Sequence, residues 1–589
     1  MFMFGRKRKT RPARRILLRF ESLEQRRLLT VNILTNVPVP GDLSLVGDNF
    51  DNNITIQPST NAATPNTFTI SAGTAANGKT TQLQLNGVPV TSPCVVGQSG
   101  NLVTGDISVN LGTGQNNLLF GFTTAPATTP DPVQGNVTII DNASDANVIE
   151  NVNLAKTLTI VNGPSTTNTV QNTISNVQVD LATTINNGGN TTTNISNSQL
   201  LAGLNVASPA VPVVLSSLTV NTCTVVGNVV VANVGGGNSS TTVEGGWVEG
   251  TLTVVNGDGI NSVQVGTSTA PTKIGTSPVS PTPPTPTVIS IINGDGGSFT
   301  QFLGQSATSR LTVMGGINVV NGASTDGATN MVSFNNADAA GRVTVDNGGT
   351  PGVPSIENSV SIQDSNLGIL ALTAASPNPV TVDNGTGYDA FSMTSINSAC
   401  TAPWGVAIDN IVNGLNASTV WGSSTTVTGS SIGTGVFGPN DGTAGNGFDL
   451  TGDNGNDVVA ISSSTINGNT NLLLNGGSNK VTLAAKTQLA NLNVVTGAAP
   501  GLQGNDSVSI NTCNITNGLA LNLGGLTNAV TISAGTTAGW GTLPNPNFYP
   551  IAIDGNPAVP VSQNTLTITT SLFENIPLGD INFFTPTLT

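Results

Sequence analysis

The chain contains no histidine. Acid–base catalysis therefore loses its commonest side chain, and serine–histidine triads and histidine-ligated zinc sites are excluded. Charge is scarce as well. Asp, Glu, Lys and Arg make up 8% of the 589 residues and aromatic residues 4%, both low for a globular enzyme. No apolar run approaches the ~18 residues that cross a membrane as a helix. There are four cysteines, Cys94, Cys223, Cys400 and Cys513. They are expected to be unpaired. Cys223 and Cys513 each end an Asn-Thr-Cys triplet at similar places in a repeat, and stacked repeats would hold them far beyond the ~7 Å that a disulfide spans.

Basic charge is missing from most of the chain. Ten of its 17 Lys and Arg lie in residues 1–30, and the rest of the chain holds seven basic against 29 acidic residues. A body of net charge −22 is unsuited to nucleic acid, where affinity comes largely from Lys and Arg on phosphates. It would repel polyanionic sugars and attract divalent cations weakly.

What the body does contain is Val, Ile and Leu spaced by Thr, Asn, Ser and 69 Gly. This is the vocabulary of pleated strands and tight turns. It is also periodic. Val220, Val225, Gly227, Val229, Val231 and Asn238 recur 23 residues later as Val243, Val248, Gly250, Leu252, Val254 and Asn261. Val459, Val481, Val508 and Val530 step by 22, 27 and 22. Self-similarity at this period marks a repeat architecture.

One unit reads as three short strands: Val508 and Ile510, then Ile515, then Leu519, Leu521 and Leu523. Alternation places each set on one face, and Gly, Asn and Asp supply left-handed corners. The fold expected is all-β: a parallel, right-handed β-helix solenoid with coils of about 22–26 residues. Extra residues, such as SPVSPTPPTPT (277–287), would bulge from one edge. Asn at equivalent places would bond to the coils above and below. The expected organisation is a basic targeting segment at 1–30 and an irregular β region or cap at 31–135. Repeats with Pro/Gly insertions follow at 136–570, and a C-terminal cap at 571–589 is plugged by Phe573, Phe583 and Phe584.

FESLEQRRLLT (20–30) carries Leu23, Glu24, Arg26, Leu28 and Leu29 in the pattern Leu-Glu-x-Arg-x-Leu-Leu. It resembles the N-terminal motif of the LEPR-XLL family, large secreted or cell-surface repeat proteins of planctomycete-type bacteria. Gln25 stands where that motif usually has Pro. The resemblance implies export to the envelope or exterior and no particular activity.

Three chemistries remain to be weighed. GDNGNDVVA (452–460) and GLQGNDSVS (501–509) partly match a calcium-binding nonapeptide, which makes Asp457 and Asp506 candidate ligands. The matches stand 49 residues apart rather than consecutively, so a corner role is the competing reading. Trp404 and Trp421 flank an irregular stretch and are candidates for a carbohydrate platform, whereas Trp247 falls in a regular strand where packing is expected. Catalysis on a glycan needs converging carboxylates or a basic cleft, and the aspartates are scattered. The expected function is an exported, non-enzymatic structural or adhesive rod at the cell surface or in extracellular matrix. Its partners would be extracellular glycans or other surface proteins. The alternative is a β-helical polysaccharide lyase, glycosidase or glycan-binding protein. No catalytic residue and no required cofactor is assigned, calcium being the one candidate ion.

Overall fold

A computed structural model describes most of residues 30–588. The segments 209–214, 277–286, 324–328, 349–356, 370–379, 410–421, 434–446, 498–503, 539–550, 556–563 and 570–580, with shorter gaps elsewhere, lie outside that description. So do residues 1–29, where a targeting segment with a LEPR-XLL-like motif is expected, and the three C-terminal phenylalanines.

The described residues form strands and turns, with no helix among them. Three strands make one coil, and successive coils stack into three parallel sheets. A compact coil runs from Val229–Asn233 in sheet 1 through Ser239–Val248, which bends from sheet 2 into sheet 3, to Leu252–Asn256 back in sheet 1. Parallel pairing carries sheet 1 through eighteen steps from Leu43–Gly47 to Ile581–Asn582. At ~4.8 Å per step this is a rod of roughly 85 Å. The predicted strands of the unit at 504–525 are present as Asn505–Ile510, Asn514–Ile515 and Leu519–Leu523. Val459, Val481, Val508 and Val530 lie in register.

The 23-residue step holds for Val220 with Val243 and Val225 with Val248. It fails at the Asn. Ser239, not Asn238, pairs with Asn261, because that coil is one residue shorter at its corner. Asn238 instead accepts a hydrogen bond from the Ile260 amide at 2.9 Å. Past the N-terminal end, where Leu43 pairs with Ile107, coil length also spreads beyond the expected range, from 21 residues (Val137 to Leu158) to 42 (Val406 to Phe448). The extra residues leave mainly by two corners rather than one edge, between sheets 1 and 2 and between sheets 3 and 1. Shorter insertions at 267–271, 304–310 and 395–400 leave by the corner between sheets 2 and 3. The Pro-rich segment belongs to the latter, between Thr272–Ile274 and Thr287–Asn293.

Each strand alternates buried and outward residues, so Val, Ile and Leu from all coils fill one continuous core. Phe302 and Phe334 stack within it at 4.7 Å. Beside the core run two columns of buried polar side chains, one on each side of the corner between sheets 1 and 2. In the first, Asn162 donates to Asn187 at 2.8 Å, and Ser208 to Asn233 at 3.1 Å. The chain of amides continues through Asn256, Asn293, Asn321, Asn347 and Asn384 at 2.6–3.2 Å. Every link joins neighbouring coils, and Asn256, Asn293, Asn321 and Asn347 each donate to one neighbour and accept from another. This satisfies polar atoms that burial would otherwise leave costly. Asn162 Oδ1, by contrast, is buried without a partner.

The corner between sheets 2 and 3 is tight and repeats a left-handed residue. Asn151, Asn176, Asn197, Thr222, Asn336, Asp364, Ser463 and Thr512 all have φ between 49° and 56° there. A small buried residue often follows, and Ser198, Cys223, Ser365, Ser464 and Cys513 bond back to the carbonyl two residues earlier.

The N-terminal end departs from parallel stacking. Among the described residues antiparallel strand pairings lie within 30–96, where Thr30–Thr35 folds over Leu43–Gly47 and Phe68–Ala72 over Asn53–Pro58. The outermost strands, Val88–Val90 and Cys94–Val96, are three residues long, and Pro89 removes an amide from the first. Short, proline-bearing edges discourage further strand addition.

Candidate functional site

Asp457 and Asp506 both occupy the second polar column, at the start of sheet 2. Ser423, Asp457, Asn479, Asp506, Asn528 and Asn564 follow one another coil by coil along it, each beside the first residues of the paired strands. Asn479 stands between the two aspartates, so they are two coil rises apart, about 9.6 Å. The fold does not bring them onto one ion. Each carboxylate is instead used inside the corner. Asp457 Oδ1 accepts from the Ser423 amide at 3.0 Å and its hydroxyl at 2.7 Å. Asp506 Oδ1 accepts from the Asn479 amide at 3.1 Å, and its Oδ2 from the Thr496 hydroxyl at 2.7 Å.

Asp457 Oδ2 is the exception. It is buried without a hydrogen-bond partner, as is Asn479 Nδ2 in the next coil. A Cβ added to Gly452 would lie 2.1 Å from this oxygen. The glycine thus leaves the room that the carboxylate fills. Burial pushes Asp457 up from the usual carboxylate range to about 6, against the lowering effect of the Ser423 bonds. Among the described residues no three His, Cys, Asp or Glu side chains gather as a metal site.

Trp404 and Trp421 lie outside the described residues. Trp247 does not pack into the core. It projects outward from sheet 3, half-buried, with Lys273 Nζ 4.7 Å from its ring centre and its indole N–H donating to the Gly275 carbonyl at 3.3 Å. Further along the same outward column Asp338, Asn366 and Thr401 join hands: Asn366 donates to Asp338 at 2.9 Å, and Thr401 to Asn366 at 2.8 Å. Arg310 clasps this run. It forms an ion pair with Asp338 at 2.8 Å and donates to Ser398 Oγ at 2.6 Å, 88 residues away in sequence. Asp364 holds the other end of the clasp by accepting three consecutive amides, from Ile396, Asn397 and Ser398. Those bonds outweigh its burial and keep its carboxyl below the usual range. Nothing in the sequence joined these residues, because they come from four successive coils. The only available signal was the rarity of basic residues in the body, which makes Lys273 and Arg310 conspicuous. Their polar groups are largely engaged with one another, so the cluster serves as a staple across coils.

The outward face of sheet 2 has a different character. From Val170–Ser175 to Asn261–Gly266, five strands in register present Gln171, Thr192, Ser217, Ser240 and Ser262 in one column. Thr173, Asn194, Thr219, Thr242 and Gln264 form the next, and Ser175, Ser196, Asn221 and Glu244 a third. The result is a lattice of neutral hydroxyl and amide groups, ~4.8 Å apart along the rod and ~6.7 Å across it. Glu244 is its one charge.

The four cysteines are buried free thiols. Burial raises Cys223 and Cys513 to about 11, which removes them from thiolate chemistry. Among the described residues no helix is long and apolar enough to cross a membrane. No family model, no curated protein and no solved structure matches the chain.

Proposed function

We propose that this chain is an exported, non-enzymatic rod that acts by shape and surface, as a structural or adhesive element outside the cell. The observation that carries the reading is the use of its polar groups. A long series of the buried ones is spent on ladders between coils, and two of the scarce basic residues, Lys273 and Arg310, are engaged within one staple. The outward faces repeat rather than converge. The basic N-terminal stretch with Leu23, Glu24, Arg26, Leu28 and Leu29 supports export through its resemblance to the LEPR-XLL motif.

Protease treatment of intact producing cells, followed by immunoblotting, tests the reading. Cleavage of the chain under conditions that spare a cytosolic marker is the expected outcome. Protection until the cells are lysed would sink it.

A further inference from the structure

We infer that the outward face of sheet 2 between residues 170 and 266 is a docking surface for a neutral polysaccharide. This rests on the reading of the chain as an adhesive rod and names the partner's chemistry. The lattice centred on Thr173, Asn194, Thr219, Thr242 and Gln264 stays in register over five coils. A globular partner would meet one patch of it, whereas a polymer with its own repeat meets every coil.

Charge narrows the class. The face carries Glu244 alone on a body of net −22, so a polyanion is repelled and a polycation finds no carboxylate array there. A second copy of the chain would bring one acidic body against another. The three columns hold no apolar side chain that would favour a lipid or a hydrophobic peptide. What remains is a partner that is uncharged, periodic and rich in hydroxyls. Each coil contributes weak hydrogen bonds in exchange for bonds to water, and affinity accumulates through their number.

The test is co-sedimentation of the purified full chain with microcrystalline cellulose, chitin and insoluble α-glucan, and with carboxymethylated cellulose as the anionic counterpart. The variant Thr219→Glu with Thr242→Glu places two charges on the outward face without touching the core. Thr219→Ser with Thr242→Ser keeps both hydroxyls. The expected result is retention on at least one neutral solid, indifferent to added salt. Retention should fall about tenfold or more in the glutamate variant and persist in the serine variant. Circular dichroism should show all three chains equally folded at the assay temperature, since the two in-register glutamates lower the thermal midpoint by mutual repulsion. The inference is overturned by retention that the glutamate pair leaves unchanged, by retention on the anionic solid alone, or by none on any neutral solid. It is also overturned if the glutamate pair changes self-association in sedimentation velocity and not retention. These outcomes concern the face alone, because surface localisation in cells is read separately.

Discussion

Asp457 is the residue at which the structure carries the clearest cost. Its Oδ2 is enclosed beside Gly452 with no donor, and burial lifts its ionisation from 3.8 to about 6. The folded chain then holds this proton more tightly than the unfolded chain does. Stability from this group is present at low pH and lost as pH rises from about 4 to about 6, by up to roughly 3 kcal/mol for a shift of this size. Asp457→Asn keeps an oxygen for Ser423 and removes the buried charge. It should raise the thermal midpoint at pH 7.5 and flatten the dependence between pH 4 and 6, as differential scanning calorimetry across that range would show. Asn293 is the opposite case, a polar group fully used. It donates to Asn321 and accepts from Asn256, both at 2.7 Å. Asn293→Ala leaves two buried neighbours short of a partner and should cost about 2–4 kcal/mol in urea unfolding. The sequence disclosed that Asn at equivalent places would bond between coils, and Asn293 occupies one of those places. It disclosed Asp457 only as an Asp in a corner, because the neighbour that shapes its environment is a glycine with no side chain to signal it.

At the scale of the element, strands and their faces were legible because alternation and a period near 23 residues are local properties. Corners were legible where Gly, Asn and Asp supply them. Two features were not. Thr222 and Thr512 turn the tight corner at φ 54° and 56°, although β-branched residues disfavour that conformation. Coils above and below hold them in the conformation that Asn151, Asn176 and Asn197 adopt more readily. Thr222→Asn therefore relieves strain, and should stabilise the chain by about 0.5–1 kcal/mol in the same unfolding assay. A fall in stability would show that the Thr222 hydroxyl bond to Asn221, at 2.6 Å, matters more than the backbone. The second hidden feature is the shift from Asn238 to Ser239 opposite Asn261. A one-residue difference in a corner leaves the period visible and moves the pairing.

At the scale of the whole molecule, charge sets the environment in which the rod stands. Its acidic body has one ion pair among the described residues, between Arg310 and Asp338. Burial raises the ionisation of Asp346, and Asp383, in register beside it, raises it further. Self-repulsion of this kind is screened by any salt. NaCl and CaCl2 matched in ionic strength should raise the thermal midpoint to a similar extent, because Asp457 and Asp506 stand too far apart to share an ion. A calcium effect well above the sodium effect, reversed by chelator, would contradict that placement.

The division of labour among the three corners has a practical sequel. Coils of 21 and of 42 residues share one stack, and the longest additions are carried at two corners while sheets 2 and 3 mostly meet at a single left-handed residue. The two permissive corners amount to ready splice points. A foreign peptide inserted between Ile274 and Thr287 would be carried along one ridge of the rod and repeated wherever that coil were duplicated. The tight corner would keep the spacing between copies constant.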